Sequence, residues 1–150
     1  MSKGIFILGT DTDVGKSVIT SGLVYLLRKN GYQATSFKPV QSGGIKVDGE
    51  LLAPDTQLVK KVANLEEDHI LMTPYCMEPA VSPHLAAHLT DTEISREKII
   101  ESYQRLADKY DYIITEGAGG LVVPIIENSY FIYDLIRELN LPVLIVGRAS

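Results

Sequence analysis

Long apolar runs are missing from this 150-residue chain, and no stretch approaches the length needed to cross a bilayer. The first apolar run, Ile5-Phe6-Ile7-Leu8, is four residues long, too short for the core of a signal peptide. Cysteine is nearly absent. The lone Cys76 excludes an internal disulfide framework and fits a reducing compartment; within Tyr75-Cys76-Met77 it reads as packing rather than as a nucleophile. There is no basic run, and a formal net charge of −5 argues against a nucleic-acid footprint. Repeats, linkers and low-complexity segments are lacking too. What remains, 45% hydrophobic and 22% charged, is the make-up of one ordinary globular domain over residues 1–150, large enough for a real core.

One stretch organises the rest: Gly9-Thr10-Asp11-Thr12-Asp13-Val14-Gly15-Lys16-Ser17. The apolar run before it reads as a buried strand, about Gly4–Leu8. After it, Val18, Ile19, Gly22, Leu23, Leu26 and Leu27 recur with helical spacing. Strand, glycine-bearing loop, Gly-Lys-Ser and helix form the context of a P-loop, in which backbone N–H groups and the helix N-terminus attract an oligophosphate. Lys16 would reach the β- and γ-phosphates, and the Ser17 hydroxyl would ligate Mg²⁺. The spacing departs from the general motif: Thr10 stands where the first glycine belongs, with Gly9 one position early. The alternative is a strand-to-helix turn that binds nothing.

Alternation of strands and helices follows. The first helix is expected to run to about Asn30, with Arg28 and Lys29 in its last turn and Gly31 as the cap. A second strand, 34–38, stops at Pro39; parallel to the first, it would bring Lys38 to the edge where α/β sheets bind ligands. Gln41-Ser42-Gly43-Gly44 reads as a loop, and the polar residues on to Leu52 as a mobile continuation. Pro54-Asp55 opens a short helix. Ile70–Met72 reads as a short strand. Ser82-Pro83-His84 starts a helix to about Leu89, and Ser95 caps the next, with Ile94 and Ile99 placed for a hydrophobic staple. Residues 111–116 form a strand ending in Glu116, followed at once by Gly117-Ala118-Gly119-Gly120. A helix over about 130–139 and a fourth strand over 142–146 complete the pattern. The fold class is α/β: a doubly wound, mainly parallel sheet with helices on both faces, of the P-loop NTPase type. Such sheets usually continue past Gly147-Arg148-Ala149-Ser150, so the chain is expected to be truncated there or to be a shortened form.

Four features converge on one edge: the Lys16 loop, Lys38, Asp55 and Glu116. Two lysines can neutralise a polyphosphate and a transferring phosphoryl group. Ser17, Asp55 and Glu116 offer oxygen ligands to hydrated Mg²⁺. Taken singly, Glu116 is a solvated strand end, Asp55 a plain N-cap and Lys38 an exposed lysine; it is their convergence that carries weight. His84 and His88 stand at i, i+4 on a helix, a spacing that zinc ligands use. No third ligand has motif spacing, and His69 does not supply one, so packing is the reading adopted.

Residues 9–17, Lys38-Pro39-Val40-Gln41-Ser42-Gly43 and Glu116-Gly117-Ala118-Gly119-Gly120 together resemble the dethiobiotin synthetases. The stretches Pro79–His84 and Leu141-Pro142-Val143 are similar as well. The resemblance runs through all 150 residues in order, and the long glycine spacing is that family's own form. It implies an ATP- and Mg²⁺-dependent ring closure in biotin biosynthesis. One amine of 7,8-diaminononanoate takes up CO₂, ATP phosphorylates the carbamate, and the second amine closes the ureido ring, giving dethiobiotin, ADP and phosphate. The implied roles are residue by residue. Lys16 and Lys38 flank the carbamate and γ-phosphate, Thr12 hydrogen-bonds the same region, and Ser42 joins Lys38 on the substrate. Ser17, Asp55 and Glu116 hold Mg²⁺. The nucleotide-binding set is Asp13, Val14, Gly15, Lys16, Ser17 and Val18 with Asp55, Glu116, Gly117, Ala118 and Gly119; Gly117 and Gly119 let the main chain approach the nucleotide, and Asp13 contributes through its N–H only. A homodimer is implied, as is a cytoplasmic location. Family members run on past Ser150, where the adenine-enclosing residues and part of the subunit contact are expected. No role follows for Pro79–His84.

Two other readings compete. A partition-type ATPase switch would usually carry an extra lysine early in the loop, where this chain has Thr10-Asp11-Thr12-Asp13. An amide-forming ligase of the cobyrinate type would usually carry a fused glutaminase domain, and none is present.

Overall fold

The structure, a computed structural model, describes residues 1–149; the last residue of the terminal Gly147–Ser150 stretch, Ser150, lies outside the described residues. Its elements follow in order: β1 (Lys3–Gly9), α1 (Lys16–Lys29), β2 (Ala34–Phe37), β3 (Val40–Ser42), β4 (Ile45–Val47), β5 (Glu50–Leu52), α2 (Pro54–Ala63), α3 (His69–Met72), β6 (Tyr75–Met77), α4 (Pro83–Leu89), α5 (Arg96–Ala107), β7 (Tyr112–Glu116), β8 (Pro124–Ile126), β9 (Tyr130–Phe131), α6 (Ile132–Leu139) and β10 (Val143–Val146). The central sheet has the order β10-β1-β7-β2, with every pairing parallel. β7 therefore separates β1 from β2. Ile7 stands opposite Glu116 and Phe37 opposite Thr115, so β1, β2 and β7 deliver their carboxyl ends to one edge.

Alternation along the strands builds a core on each face. Phe6, Leu8, Phe37 and Ile113 point to one side and pack with Ile99 and Leu106 of α5 and Ile132 and Leu135 of α6. Ile7, Ala34 and Ile114 point to the other, against Val24 of α1 and Val59 and Ala63 of α2. Fully buried aliphatic and aromatic side chains such as these each contribute roughly 1.5–3 kcal/mol by leaving water. The doubly wound architecture expected from the sequence is thus present, with both faces covered.

The helix entries follow their local chemistry. Ser95 Oγ accepts the Lys98 N–H at 3.2 Å, and Ile94 and Ile99 are buried in the same core, as a staple requires. Ser82 precedes Pro83 at the start of α4 but caps it without a side-chain hydrogen bond. Asp134 accepts the Phe131 N–H at 2.9 Å at the start of α6.

Three local expectations are corrected. Residues 41–52 are not one loop. Val40–Ser42 pairs in parallel with Tyr75–Met77, and Ile45–Val47 pairs antiparallel with Glu50–Leu52. Asp48 and Gly49, with φ of 51° and 84°, make the tight connection that a two-residue hairpin demands. Its apolar residues Ile45 and Val47 are exposed, so no buried pattern announced it. Residues 70–72 are helical rather than extended. Asp68 accepts the Ile70 N–H at 2.9 Å, and this cap outweighs the strand propensity of the isoleucine. The last helix begins at Ile132, since Tyr130 and Phe131 pair with Pro124–Ile126.

Candidate active site

Gly9 explains the spacing of the phosphate loop. A Cβ there would lie 2.8 Å from the Asp11 carbonyl oxygen, from Lys16 Nζ and from a Val14 methyl carbon. The loop folds back over this position, so the glycine is needed at 9 rather than at 10. Asp13 and Gly15 take positive φ (55° and 100°), which reverses the chain into α1. Lys16 lies in the first turn, 8% exposed, and its ammonium donates to the Asp11 carbonyl oxygen at 3.2 Å. Burial and, after it, the nearby Lys38 hold the Lys16 pKa below its usual value.

The second lysine is buried at the centre of the site. Lys38 Nζ lies 2.7 Å from Asp55 Oδ2, 3.1 Å from Glu116 Oε1 and 3.3 Å from the Gly117 carbonyl oxygen. Ser17 Oγ donates to the same Glu116 Oε1 at 2.8 Å. Four residues from α1, the end of β2, the start of α2 and the end of β7 thus meet through hydrogen bonds, though 99 residues separate Ser17 from Glu116. Burial opposes charge on Lys38, but Glu116 and Asp55 outweigh it and the pKa stands raised. Burial likewise opposes charge on Asp55; the ammonium of Lys38 outweighs it and holds the carboxyl below the usual range. Both groups are ionised at neutral pH.

These groups open on a cleft of about 820 Å³, the size of a small-molecule site. Thr12, Asp13, Gly15, Lys16, Ser17 and Val18 line it from the loop side, and Lys38, Ser42, Asp55, Glu116, Ala118 and Gly119 line it from the sheet edge. Every expected site residue but two is on this wall. Val14 packs toward Gly9, and Gly117 is explained by packing: a Cβ there would meet the Phe6 ring at 3.0 Å and Leu8 at 3.3 Å. Gly119 has φ of 78° and Val123 at 3.0 Å from the added Cβ. The opposite wall was not assigned from the sequence. Ala80, Val81, Ser82 and Pro83, with Gln41, Pro54 and Val123, complete the lining. Four residues of the stretch 79–84, for which no role follows from the sequence, thus stand beside the cleft.

The cluster offers hard oxygen donors: one hydroxyl and two carboxylates around a buried cation. That donor set fits Mg²⁺, which prefers oxygen ligands and dehydrates reluctantly. Among the described residues no group of three or more His, Cys, Asp or Glu is placed to hold a metal by itself. His84 and His88 lie one turn apart on α4, where His88 is exposed rather than packed as expected, and His69 Nε2 lies 3.3 Å from Glu50. Cys76 is a half-buried free thiol whose pKa burial pushes up, unlike an activated nucleophile.

Comparison with known proteins agrees with this geometry. A family described as "AAA domain" matches residues 3–150. The chain is 47% identical over its whole length to the ATP-dependent dethiobiotin synthetase BioD of Clostridium kluyveri, of which it spans 64%. It is 46% identical to the protein of that name from Geobacillus sp., of which it spans 62%. To that of Clostridium perfringens it is 40% identical, spanning 67%. The curated relatives are therefore longer by about a third of their length. Phosphate-loop fold, buried lysine–carboxylate cluster and similarity over the whole of this chain agree, and the chain belongs to the AAA-domain family and is a relative of the dethiobiotin synthetases.

Proposed function

We propose that residues 1–150 form a single ATP-binding ligase domain that closes a ureido ring: ATP- and Mg²⁺-dependent conversion of 7,8-diaminononanoate and CO₂ to dethiobiotin, ADP and phosphate. The observation that carries this reading is the Lys38–Asp55–Glu116–Ser17 cluster, which joins the phosphate loop through Ser17 and lines the same cleft. The relatives named as dethiobiotin synthetases supply the substrate class.

The chemistry asks for what the residues offer. A carbamate, formed on one amine, is an anion that attacks an anionic phosphoryl group. Positioning and charge neutralisation therefore do most of the work. Lys16 and Lys38 both line the cleft and can neutralise the phosphoryl oxygens and the carbamate. Thr12 and Ser42, both on the wall, offer hydroxyls to the same region. The carbamic–phosphoric anhydride so formed is attacked by the second amine, with loss of phosphate and closure of the ring. Ser17, Asp55 and Glu116 are the residues that would hold Mg²⁺, which supplies charge neutralisation at the phosphates. Ala118 and Gly119 bring main chain to the cleft beside the nucleotide, and Val18 and Asp13 flank it from the loop.

A homodimer and a cytoplasmic setting belong to the same proposal. The exposed apolar side chains of Val18, Tyr25 and Leu26 along α1 support a subunit contact. Among the described residues no helix is long and apolar enough to cross a membrane. The test is phosphate release from Mg·ATP and bicarbonate, with and without 7,8-diaminononanoate. Release that depends on the diamine and is lost in Lys38→Ala is expected. ATP turnover indifferent to the diamine would overturn the ring-closure reading in favour of a nucleotide switch.

A further inference from the structure

Lys38 is placed deeper than its proposed task requires. Its side chain is 7% exposed, and its ammonium is turned away from open solvent onto Asp55 Oδ2, Glu116 Oε1 and the Gly117 carbonyl oxygen. Two of these three oxygens belong to the residues that would ligate a divalent cation. The third proposed ligand, Ser17 Oγ, donates to the same Glu116 Oε1. The lysine thus sits among the metal's own ligands.

Two positive charges compete for this cage. Mg²⁺ needs oxygens at about 2.0–2.1 Å and demands their lone pairs. The ammonium at 2.7 and 3.1 Å occupies one oxygen of each carboxylate, Asp55 Oδ2 and Glu116 Oε1, and would repel the metal. Without any cation, Glu116, which is 2% exposed, would be a buried unpaired carboxylate, a costly state. The protein avoids it by keeping a cation on a tether.

We propose that Lys38 is a resident counter-ion of the Asp55–Glu116–Ser17 cluster and is exchanged for the divalent cation. On this account Lys38 gives up the carboxylate oxygens when a metal takes them, and its freed ammonium turns into the cleft toward the reacting oxygens. Metal entry and the arming of Lys38 become one event. The inference rests on the function proposed above and goes further, since it says where the lysine waits and what releases it. It also implies that metal alone binds poorly, and that polyphosphate oxygens must help to displace the lysine.

The test reads metal binding rather than turnover. MnCl₂ is titrated into the purified protein without nucleotide, and free Mn²⁺ is followed by electron paramagnetic resonance. Wild-type protein and Lys38→Arg, which keeps a cation in the cage, are expected to bind weakly. Lys38→Met is expected to bind Mn²⁺ at least about tenfold more tightly. Binding by Lys38→Met no tighter than wild type overturns the exchange. Should Lys38→Met fail to fold, wild-type protein labelled with ¹³C at lysine Cε serves instead, with the Lys38 resonance assigned by its loss in Lys38→Arg. The resonance is expected to shift on adding MgCl₂ with a non-hydrolysable ATP analogue, and an unmoved resonance overturns the proposal. Normal binding of Mn·ATP with metal-alone binding indifferent to Lys38→Met would sink the exchange and leave the proposed function standing. Failure of wild-type protein to bind either Mn²⁺ or Mn·ATP would sink both.

Discussion

At the scale of single residues, the site depends on what is absent as much as on what is present. The missing side chain at Gly9 leaves room for the Asp11 carbonyl, the Lys16 ammonium and Val14 within 2.8 Å of the would-be Cβ. Lysine and valine ends can yield, but the carbonyl is main chain. Gly9→Ala is therefore expected to displace the loop while leaving the two cores intact. Displacements of this size at a reacting centre cost on the order of 100-fold in rate. ATP-dependent turnover should fall by about that factor, with a thermal midpoint near that of the parent, checked by phosphate release and differential scanning calorimetry on one preparation. Equal loss of stability and activity would show that the glycine serves the fold instead.

At the scale of elements, the caps and staples that make helices legible in a sequence are also points of measurable stability. Ser95 accepts the Lys98 N–H, donates its hydroxyl to Glu97 at 3.0 Å, and gives its own N–H to the Tyr75 hydroxyl at 2.8 Å. Ser95→Ala removes the first two. A cost of about 1 kcal/mol is expected, a fall of roughly 2–4 °C in melting temperature. An unchanged melt would mean that the staple and the backbone contact to Tyr75 hold the helix entry alone. The same local chemistry shows why some elements were readable and others were not. The Ser95 start, the Gly-Lys-Ser turn and the apolar strands at 5–8 and 112–114 each state their structure within a few residues. The Asp48-Gly49 hairpin was available as a turn signal, yet its exposed Ile45 and Val47 gave no buried face to frame it. The pairing of Val40–Ser42 with Tyr75–Met77 depends on residues about 35 positions apart, which no local pattern states. In the site, Lys16, Ser17, Lys38, Asp55 and Glu116 were legible because each ends a strand or begins a helix at one edge. The wall of Ala80–Pro83 was not, because its place beside the cleft depends on how α4 packs.

At the scale of the whole molecule, two carboxylate clamps tie distant elements together. Glu67 accepts from the Tyr110 hydroxyl at 2.8 Å and pairs with Lys109 at 3.3 Å, holding the segment after α2 to the end of α5. Glu138 on α6 takes a bidentate pair of bonds from Arg96 on α5 and a hydroxyl from Tyr130 at 2.6 Å. Burial works against ionised Glu67, but the Asp68 N–H, Tyr110 and Lys109 together hold its pKa below the usual value. Arg96 does the same for Glu138, chiefly through its hydrogen bonds. Both groups are more acidic folded than unfolded. Their contribution is therefore fully present above the unfolded value of about 4 and is lost as pH falls through the depressed folded values. Urea midpoints should hold steady from pH 7 to about pH 5 and decline below about pH 4. Glu67→Gln should be less stable at pH 7 and show a shallower decline, and an acid limb of the same slope in both proteins would show that other groups govern it. Tyr110, pushed up to about 12 by burial and Glu67, adds the mirror-image effect at the alkaline end.

The strand order carries a consequence for how the chain comes into being. β1 and β2 have no ladder with each other; each pairs with β7, which lies between them. Lys38 and Glu116 are 78 residues apart in the chain. At a synthesis rate of roughly 5–20 residues per second, Glu116 leaves the ribosome about 4–16 s after Lys38. Until then the phosphate loop emerges ahead of its sheet, β2 has no neighbour to pair with, and Lys38 is an ordinary hydrated lysine. The middle strand arrives last of the three, and its closing residue completes the charge cluster. Nascent chains stopped before Tyr112 hold β1 and β2 without the strand that pairs with both.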